Sequence, residues 1–144
     1  MSHEPIPTAD GRRRVTELIR DARACLLTTT AVDGRLVSRP MVLPAAEFDG
    51  DLWFFAYADS AKIRQIRVNP QVNVGLFDQR QHAWVSMAGT AQEGWERGRA
   101  ERLWHPQLET WFPDGPDTPG LTLLKVHAGP AEYWAAGENH QVSY

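Results

Sequence analysis

The chain has 144 residues, of which 42% are hydrophobic and 23% are charged, and its formal net charge is −3. This composition is that of one globular domain, and the negative charge argues against non-specific nucleic-acid binding as the main activity. The single cysteine, Cys25, excludes an internal disulfide framework and any multi-cysteine metal site.

The N-terminal region predicts a flexible arm followed by an amphipathic helix. Prolines early in the sequence indicate an arm over residues 1–9, so that residues 10–144 form the single domain. An apolar stripe with helical spacing begins at Val15 and predicts a helix over residues 10–22. No signal peptide precedes it and no apolar run is long enough to span a bilayer, so we expect a cytoplasmic protein without membrane contact.

Two Asp-Gly turns organise the next part of the chain. Asp33-Gly34 separates β-prone runs at residues 24–30 and 35–43, and Asp49-Gly50 comes before another run at residues 51–58. Because Asp-Gly between β-prone runs is a strong hairpin signal, the pattern predicts a meander of three antiparallel strands. The third run is bulky at consecutive positions, so we expect both of its faces to be covered.

Short strands continue through the second half of the chain. The pattern predicts a helix over 60–68, strands over 72–77 and 83–90, a helical stretch over 94–104, a loop-like stretch over 105–120, and a sixth strand over 121–126 that residues 131–135 extend. The predicted fold class is therefore mainly β, with a six-stranded, mostly antiparallel sheet, two or three short helices and closure into a small barrel.

Residue types that carry catalysis are sparse. The five histidines are scattered, and their spacing supplies no set of convergent metal ligands, so we predict no metal site. Cys25 lies in a predicted strand among apolar residues and is interpreted as a small buried hydrophobe rather than a nucleophile. A redox function would therefore require a bound cofactor that carries the electrons.

Three segments indicate where such a cofactor could bind. The first, Ser38 to Pro44, has two prolines within a strand, which favours an edge or a break with free backbone groups. In the second, Ser60 or Asp59 can cap a helix with Lys62 in its first turn, which fits either a bound anion or a plain cap with an exposed lysine. The third, Trp104 to Pro116, places aromatic rings in a proline-rich loop, where they could cover a barrel end or enclose a flat ligand.

The sequence resembles the pyridoxamine 5′-phosphate oxidase-like flavin-binding split barrels, and among them the bacterial general stress protein branch. The similarity runs from about Arg12 to Trp134. The motifs that carry it are Ser38-Arg39-Pro40-Met41, Trp53-Phe54-Phe55, Ser60-Ala61-Lys62, Asn69-Pro70-Gln71-Val72, Trp84 to Ala91, Trp111-Phe112-Pro113-Asp114-Gly115 and Leu123-Leu124-Lys125-Val126.

The resemblance implies a six-stranded antiparallel split β-barrel that forms a homodimer, with FMN in two equivalent grooves at the dimer interface. It also implies an FMN-dependent oxidoreductase that acts on a small molecule. The implied cofactor-binding residues are Arg39, Pro40, Met41, Val42 and Leu43 along the isoalloxazine, Phe55 and Ala56 near the ribityl chain, Ser60 and Lys62 at the phosphate, Trp84 at the ring edge, and Trp111 from the partner subunit.

Differences from the family pattern reduce the number of functions that the resemblance allows. The vitamin-processing oxidases carry Ser-Arg-Lys where this chain has Ser60-Ala61-Lys62, and no arginine follows Arg102 to hold a substrate phosphate. These differences argue against oxidation of pyridoxamine phosphate itself. The alternatives are a non-catalytic flavin-binding or sensing dimer, and a related barrel that holds deazaflavin or a haem ligated by His82 or His105.

Overall fold

The computed structural model describes residues 8–43 and 48–144. In chain order the helices and strands are α1 (Thr8–Asp21), β1 (Ala24–Thr30), β2 (Leu36–Val42), β3 (Asp51–Tyr57), α2 (Ala61–Val68), β4 (Gln71–Asp78), β5 (Ala83–Glu93), α3 (Arg97–Leu103), β6 (Leu121–Ala135) and β7 (Glu138–Val142). Two short 3-10 helices, Pro106–Thr110 and Gly115–Asp117, lie between α3 and β6.

Helix α1 places its predicted apolar stripe against the sheet. Val15 and Leu18 are fully buried, and the helix packs against β4, β5 and β7. It begins at Thr8 rather than at residue 10, while residues 1–7 of the predicted arm lie outside the described residues. None of the helices within the described residues is long and apolar enough to cross a membrane.

The first predicted hairpin is confirmed. Strands β1 and β2 pair antiparallel from Ala24 opposite Val42 to Thr30 opposite Leu36. Gly34 in the connecting turn has a φ of +88°, a conformation that a residue with a Cβ rarely adopts.

The predicted three-stranded meander is wrong, because β3 pairs with β6 rather than with β2. Gly50 does adopt a positive φ of +110°, which agrees with the turn that Asp49-Gly50 predicts. A turn sets the local direction of the chain, whereas burial selects the strand's partner. Since β3 is apolar on both faces, it is best placed between two apolar layers, as was expected for this strand.

The sheet has seven strands in the order β2-β1-β4-β5-β6-β3, with β7 paired to β6. Among the described residues no ladder joins the outer strands β2 and β3, so the antiparallel sheet is a split barrel as predicted. The seventh strand was not predicted. Its hairpin turns through Ala136 and Gly137, both with positive φ, and alanine gives little sequence signal for that conformation.

Two apolar clusters lie on opposite sides of β3. The larger fills the space between the sheet and helices α1 and α2, and includes Phe54 and Ala56. The smaller contains Phe55 together with residues of α3 and of the segment that follows it, such as Leu108 and Phe112. Strand β3 is therefore covered on both faces, and its second face borders the cavity described next.

Candidate functional site

A cavity of about 350 Å³ opens between β2 and β3 and is called the β2–β3 cavity below. Its volume is in the range of small-molecule binding sites. Apolar and aromatic side chains form most of its wall, with one ammonium group at the edge. The lining residues are Ala24, Pro40, Met41, Val42, Phe55, Ala56, Tyr57, Lys62, Leu108, Trp111 and Phe112.

Strand β2 supplies one wall because it is an edge strand. It pairs with β1 on one side only, among the strands that the structure describes. Pro40 lies opposite Leu26 in that ladder and has no N–H to donate, as the sequence predicted for a strand that contains proline. The free side of β2 therefore offers backbone groups to a ligand along Pro40, Met41 and Val42.

Arg39 is held at one end of this wall by a hydrogen-bond network. Its guanidinium donates from Nη1 to Thr29 Oγ1 at 2.7 Å and to Leu27 O at 3.2 Å. Its Nη2 donates to Gln65 Oε1 at 3.2 Å, and the same oxygen accepts a bond of 2.6 Å from Thr29 Oγ1. These contacts from β1 and α2 fix the direction of the Arg39 side chain.

Lys62 lies close enough to Arg39 for the two positive charges to interact. Burial is the main cause that lowers the pKa of Lys62, and the charge of Arg39 lowers it further. Burial also lowers the pKa of Arg39. Two partly buried cations that face each other are unfavourable without an anion, so this arrangement is suited to binding one.

Ser60 gives an independent indication of an anion at the same place. It is the N-cap residue of α2, yet its side chain makes no capping hydrogen bond. Its Oγ is buried and has no hydrogen-bond partner among the described residues. A buried hydroxyl without a partner is costly, and the N-terminus of α2 also attracts negative charge. An oxyanion at this helix end would satisfy Ser60 and neutralise Lys62.

The structure brings most of the predicted site residues together. Predicted residues that line the β2–β3 cavity are Pro40, Met41, Val42, Phe55, Ala56, Lys62 and Trp111. Arg39 and Ser60 do not line it, but they belong with Lys62 to the proposed anion-binding position at its edge. Leu43 is buried beyond the cavity and lines a different pocket.

The two predicted tryptophans have different surroundings. Trp111 is 63% exposed and lies against the cavity of its own chain, where its carbonyl accepts a 2.9 Å hydrogen bond from the Tyr57 hydroxyl. The contribution of Trp111 to a partner subunit, which the resemblance implied, stays a prediction. Trp84 lies outside the cavity, on β5, with its ring 4.4 Å from that of Phe77. Trp84 is absent from the residues that line the β2–β3 cavity.

Trp84 lines a second, open and apolar hollow of about 540 Å³, called the β5 hollow. Leu26, Phe77, Trp84 and Trp134 contribute exposed side chains to it. The hollow adjoins the β2–β3 cavity, since Ala24 and Pro40 line both. Exposed groups of large apolar side chains are typical of interaction surfaces.

Several site residues were not predicted from the sequence. Thr29 and Gln65 hold Arg39, and nothing near them in the sequence signals that role, because they meet through folding across 36 positions. Tyr57 and Leu108 line the cavity. Tyr57 could have been found, since it continues the aromatic strand that carries Phe55.

Comparisons with known proteins show what the chain is similar to. A family model described as "Pyridoxamine 5'-phosphate oxidase like" matches residues 10–144. The chain is 32% identical over 92 residues to general stress protein 26 of Bacillus subtilis, covering 59% of this chain and 62% of that protein. It spans about three fifths of the length of the curated relatives it matches.

Solved structures share the fold over nearly the whole chain. A protein of Clostridium acetobutylicum related to general stress protein 26 superposes with a TM-score of 0.81 at 19% identity, covering 96% of each chain. A general stress FMN/FAD binding protein of Xanthomonas citri superposes with a TM-score of 0.76 at 25% identity, covering 89% of this chain and 90% of that one.

Proposed function

The chain belongs to the pyridoxamine 5′-phosphate oxidase like family, and from that premise we propose that it is an FMN-binding flavoprotein of the general stress protein type. The observation that carries the proposal is one cavity with an apolar, aromatic wall and Lys62 at its edge, next to Arg39 and the unpartnered hydroxyl of Ser60. The flat ring of FMN matches the apolar wall, and its phosphate matches the positively charged edge. The FMN/FAD-binding relative from Xanthomonas citri supports the same ligand class.

The residues present fit the flavin phosphate. Lys62 and Arg39 would supply positive charge, and the unpartnered Ser60 hydroxyl would donate a hydrogen bond to a phosphate oxygen. The guanidinium of Arg39 is already oriented by Thr29 and Gln65, so little side-chain entropy is lost when the anion binds.

The apolar half of the cavity would hold the isoalloxazine. The edge of β2 presents backbone groups from Pro40 to Val42, and Phe55 and Trp111, which line the same cavity, would contact the ring. Bound FMN would supply the electron-transfer chemistry, and the chain would orient the ring and set its polarity.

We propose an oxidoreductase with an unidentified substrate as the leading activity. Among the residues that line the cavity, the ionisable ones are Tyr57 and Lys62, and neither a carboxylate nor an imidazole is present. Because the cavity lining has few acid and base groups, it also fits the alternative of a non-catalytic flavin-binding or sensing protein. Turnover separates the two, since a sensor would bind flavin without steady consumption of a reductant.

We further propose that two chains associate through the β5 hollow. The exposed rings of Trp84, Phe77 and Trp134 would be buried there, and the shared residues Ala24 and Pro40 would bring the partner to the edge of the flavin cavity. Sedimentation at micromolar concentration should give the mass of a dimer, and Trp84→Arg should shift it toward the monomer. A wild-type monomer would overturn this part of the proposal.

The flavin proposal is tested by the visible spectrum of the purified protein before and after addition of FMN. We expect flavin absorbance that stays with the protein through gel filtration. Anaerobic addition of NADH or NADPH and then of oxygen distinguishes an oxidoreductase, which bleaches and recovers repeatedly, from a binding protein, which does not. A Soret band in place of flavin absorbance would favour the haem alternative, and loss of added FMN on gel filtration would contradict the proposal.

A further inference from the structure

Tyr57, the last residue of β3, is connected to both halves of the proposed flavin site. Its side chain lines the β2–β3 cavity. Its backbone carbonyl accepts a 3.0 Å hydrogen bond from the N–H of Ser60, in the turn that leads into α2. Its hydroxyl donates a 2.9 Å hydrogen bond to the carbonyl of Trp111. This one residue therefore links the turn before Lys62 with the segment that carries Trp111.

The segment of residues 106–112 is anchored on both sides of Trp111 but not at Trp111 itself. Leu108 and Phe112 are buried with Phe55 in the smaller apolar cluster. Trp111 lies between these two anchors, and its side chain is mostly exposed. Apolar burial therefore holds the ends of this stretch, whereas the Trp111 side chain needs another restraint to stay at the cavity.

The backbone around Trp111 shows where that restraint comes from. The N–H groups of Trp111 and Phe112 both donate to Leu108 O, at 3.0 Å and 2.8 Å. The carbonyl of Trp111 accepts its hydrogen bond from Tyr57, and within the described residues no backbone N–H donates to it. The Tyr57 hydroxyl thus fixes the peptide group that follows Trp111, and with it the direction of the indole side chain.

The geometry of Tyr57 favours this positioning role over direct contact of its hydroxyl with a ligand. A phenol hydroxyl has one hydrogen to donate, and that hydrogen is directed to the Trp111 carbonyl. The phenol ring packs against Phe112, with the ring centroids 5.0 Å apart. Since Phe112 is buried, this contact limits the movement of the ring and keeps the hydroxyl beside Trp111.

We propose that Tyr57 is a positioning residue that holds Trp111 against the flavin ring and so determines how long the flavin stays bound. This inference rests on the proposed flavin function and deepens it by naming the contact that controls cofactor exchange. Tyr57 acts through Trp111 on the ring half of the flavin. Its effect should therefore be the same for FMN and for riboflavin, which lacks the phosphate.

Tyr57→Phe tests the proposal, because it removes the hydroxyl and keeps the ring that packs against Phe112. The measurement is the rate at which FMN or riboflavin leaves the loaded protein on rapid dilution, followed by recovery of flavin fluorescence. Loss of a neutral hydrogen bond should raise this rate about 2- to 10-fold, equally for the two flavins. Tyr144→Phe is the matched control, since its hydroxyl also donates to a backbone carbonyl, that of Arg12 at 3.3 Å, and Tyr144 does not line the cavity. This variant should leave both rates unchanged.

A double-mutant cycle separates positioning from a general structural effect. If Tyr57 acts through the Trp111 side chain, Tyr57→Phe should change the dissociation rate less than about 2-fold once Trp111 is already alanine. Tyr57→Phe that raises the rate in the Trp111→Ala background as much as in the wild-type background would show that Tyr57 acts by another route. That result would overturn the proposal.

A measurement without flavin distinguishes failure of this proposal from failure of the flavin function. The indole N–H signal of Trp111 in NMR spectra, assigned by its loss in Trp111→Ala, should shift or broaden in flavin-free Tyr57→Phe and stay unchanged in Tyr144→Phe. An unchanged signal, or an unchanged dissociation rate, overturns the role of Tyr57 while wild-type flavin binding stands. A wild-type protein that binds neither flavin overturns the flavin function, and the retention role of Tyr57 with it.

Discussion

Replacement of Lys62 by glutamine separates the phosphate-binding role of this residue from a structural one. Lys62→Gln keeps an unbranched polar side chain, although a shorter one, and removes the charge that interacts with Arg39 at the start of α2. A hydrogen bond to a charged group contributes about 1.5–3 kcal/mol, so we expect the Kd for FMN to rise about 10- to 150-fold. The affinity for riboflavin, which lacks the phosphate, should change less than about 2-fold on the same reasoning.

The assay is quenching of flavin fluorescence during titration of flavin-free protein, at low and at moderate salt. Lys125→Gln is a matched control, because Lys125 is the other lysine of the chain and its ammonium lies 3.7 Å from Asp51 on β3, near the surface. Without flavin, Lys62→Gln should not lower the melting temperature, since Arg39 and burial already disfavour the Lys62 charge. Equal losses of FMN and riboflavin affinity would refute the assignment of Lys62 to the phosphate.

Three further predictions test the cavity wall, the lone thiol and the packing of the sheet. Trp111→Ala should raise the Kd for FMN about 10-fold through loss of an aromatic contact. Trp95→Ala, a substitution outside the cavity, should leave the Kd unchanged. The same Kd for both variants would mean that Trp111 has only a structural role. Burial raises the pKa of the Cys25 thiol to about 12 from 9.0, so stability should be full below pH 9 and decline as the pH rises toward 12, and thermal melts of Cys25→Ala should show a shallower decline. Gly89→Ala places a Cβ 2.6 Å from a side-chain carbon and 3.0 Å from a carbonyl oxygen of β6, which should lower the free energy of unfolding by about 1–3 kcal/mol in urea titrations. Gly94→Ala, with nothing within 4 Å of the new Cβ, should change it by less than about 0.5 kcal/mol.

Local signals in the sequence were reliable where the feature itself is local. The Asp33-Gly34 hairpin, the edge character of Pro40 and the capping position of Ser60 each follow from the preferences of a few neighbouring residues. The strand that pairs with β3 cannot be predicted in this way, because the turn at Gly50 does not determine which strand β3 will pair with. That choice depends on burial of both faces of β3, which involves residues from distant parts of the chain.

The same distinction applies to the site. Lys62 could be predicted because a cation in the first turn of a helix is anomalous without an anion nearby. Thr29 and Gln65 could not, because their polar side chains look like ordinary surface residues until β1 and α2 bring them to Arg39.

The tryptophans of the chain lie in different surroundings, which the composition alone does not reveal. Trp111 lines the β2–β3 cavity and Trp84 the adjoining β5 hollow. Trp104 packs edge-on against Phe55 in the cluster behind the cavity, with ring centroids 5.1 Å apart. Trp53 instead lies under the guanidinium of Arg99, with its ring centroid 4.2 Å away. These tryptophans therefore belong to a cavity wall, the cluster behind it, an exposed hollow and a cation–π contact.

Titration of FMN into flavin-free protein, followed by fluorescence quenching and equilibrium dialysis, measures flavin binding most directly. The cavity and its cationic end predict saturation at one FMN per chain with a Kd of about 1 μM or lower, and weaker binding of riboflavin. Absence of saturable binding at about 100 μM FMN, roughly the range of non-specific association, would contradict the assignment of the β2–β3 cavity to a flavin.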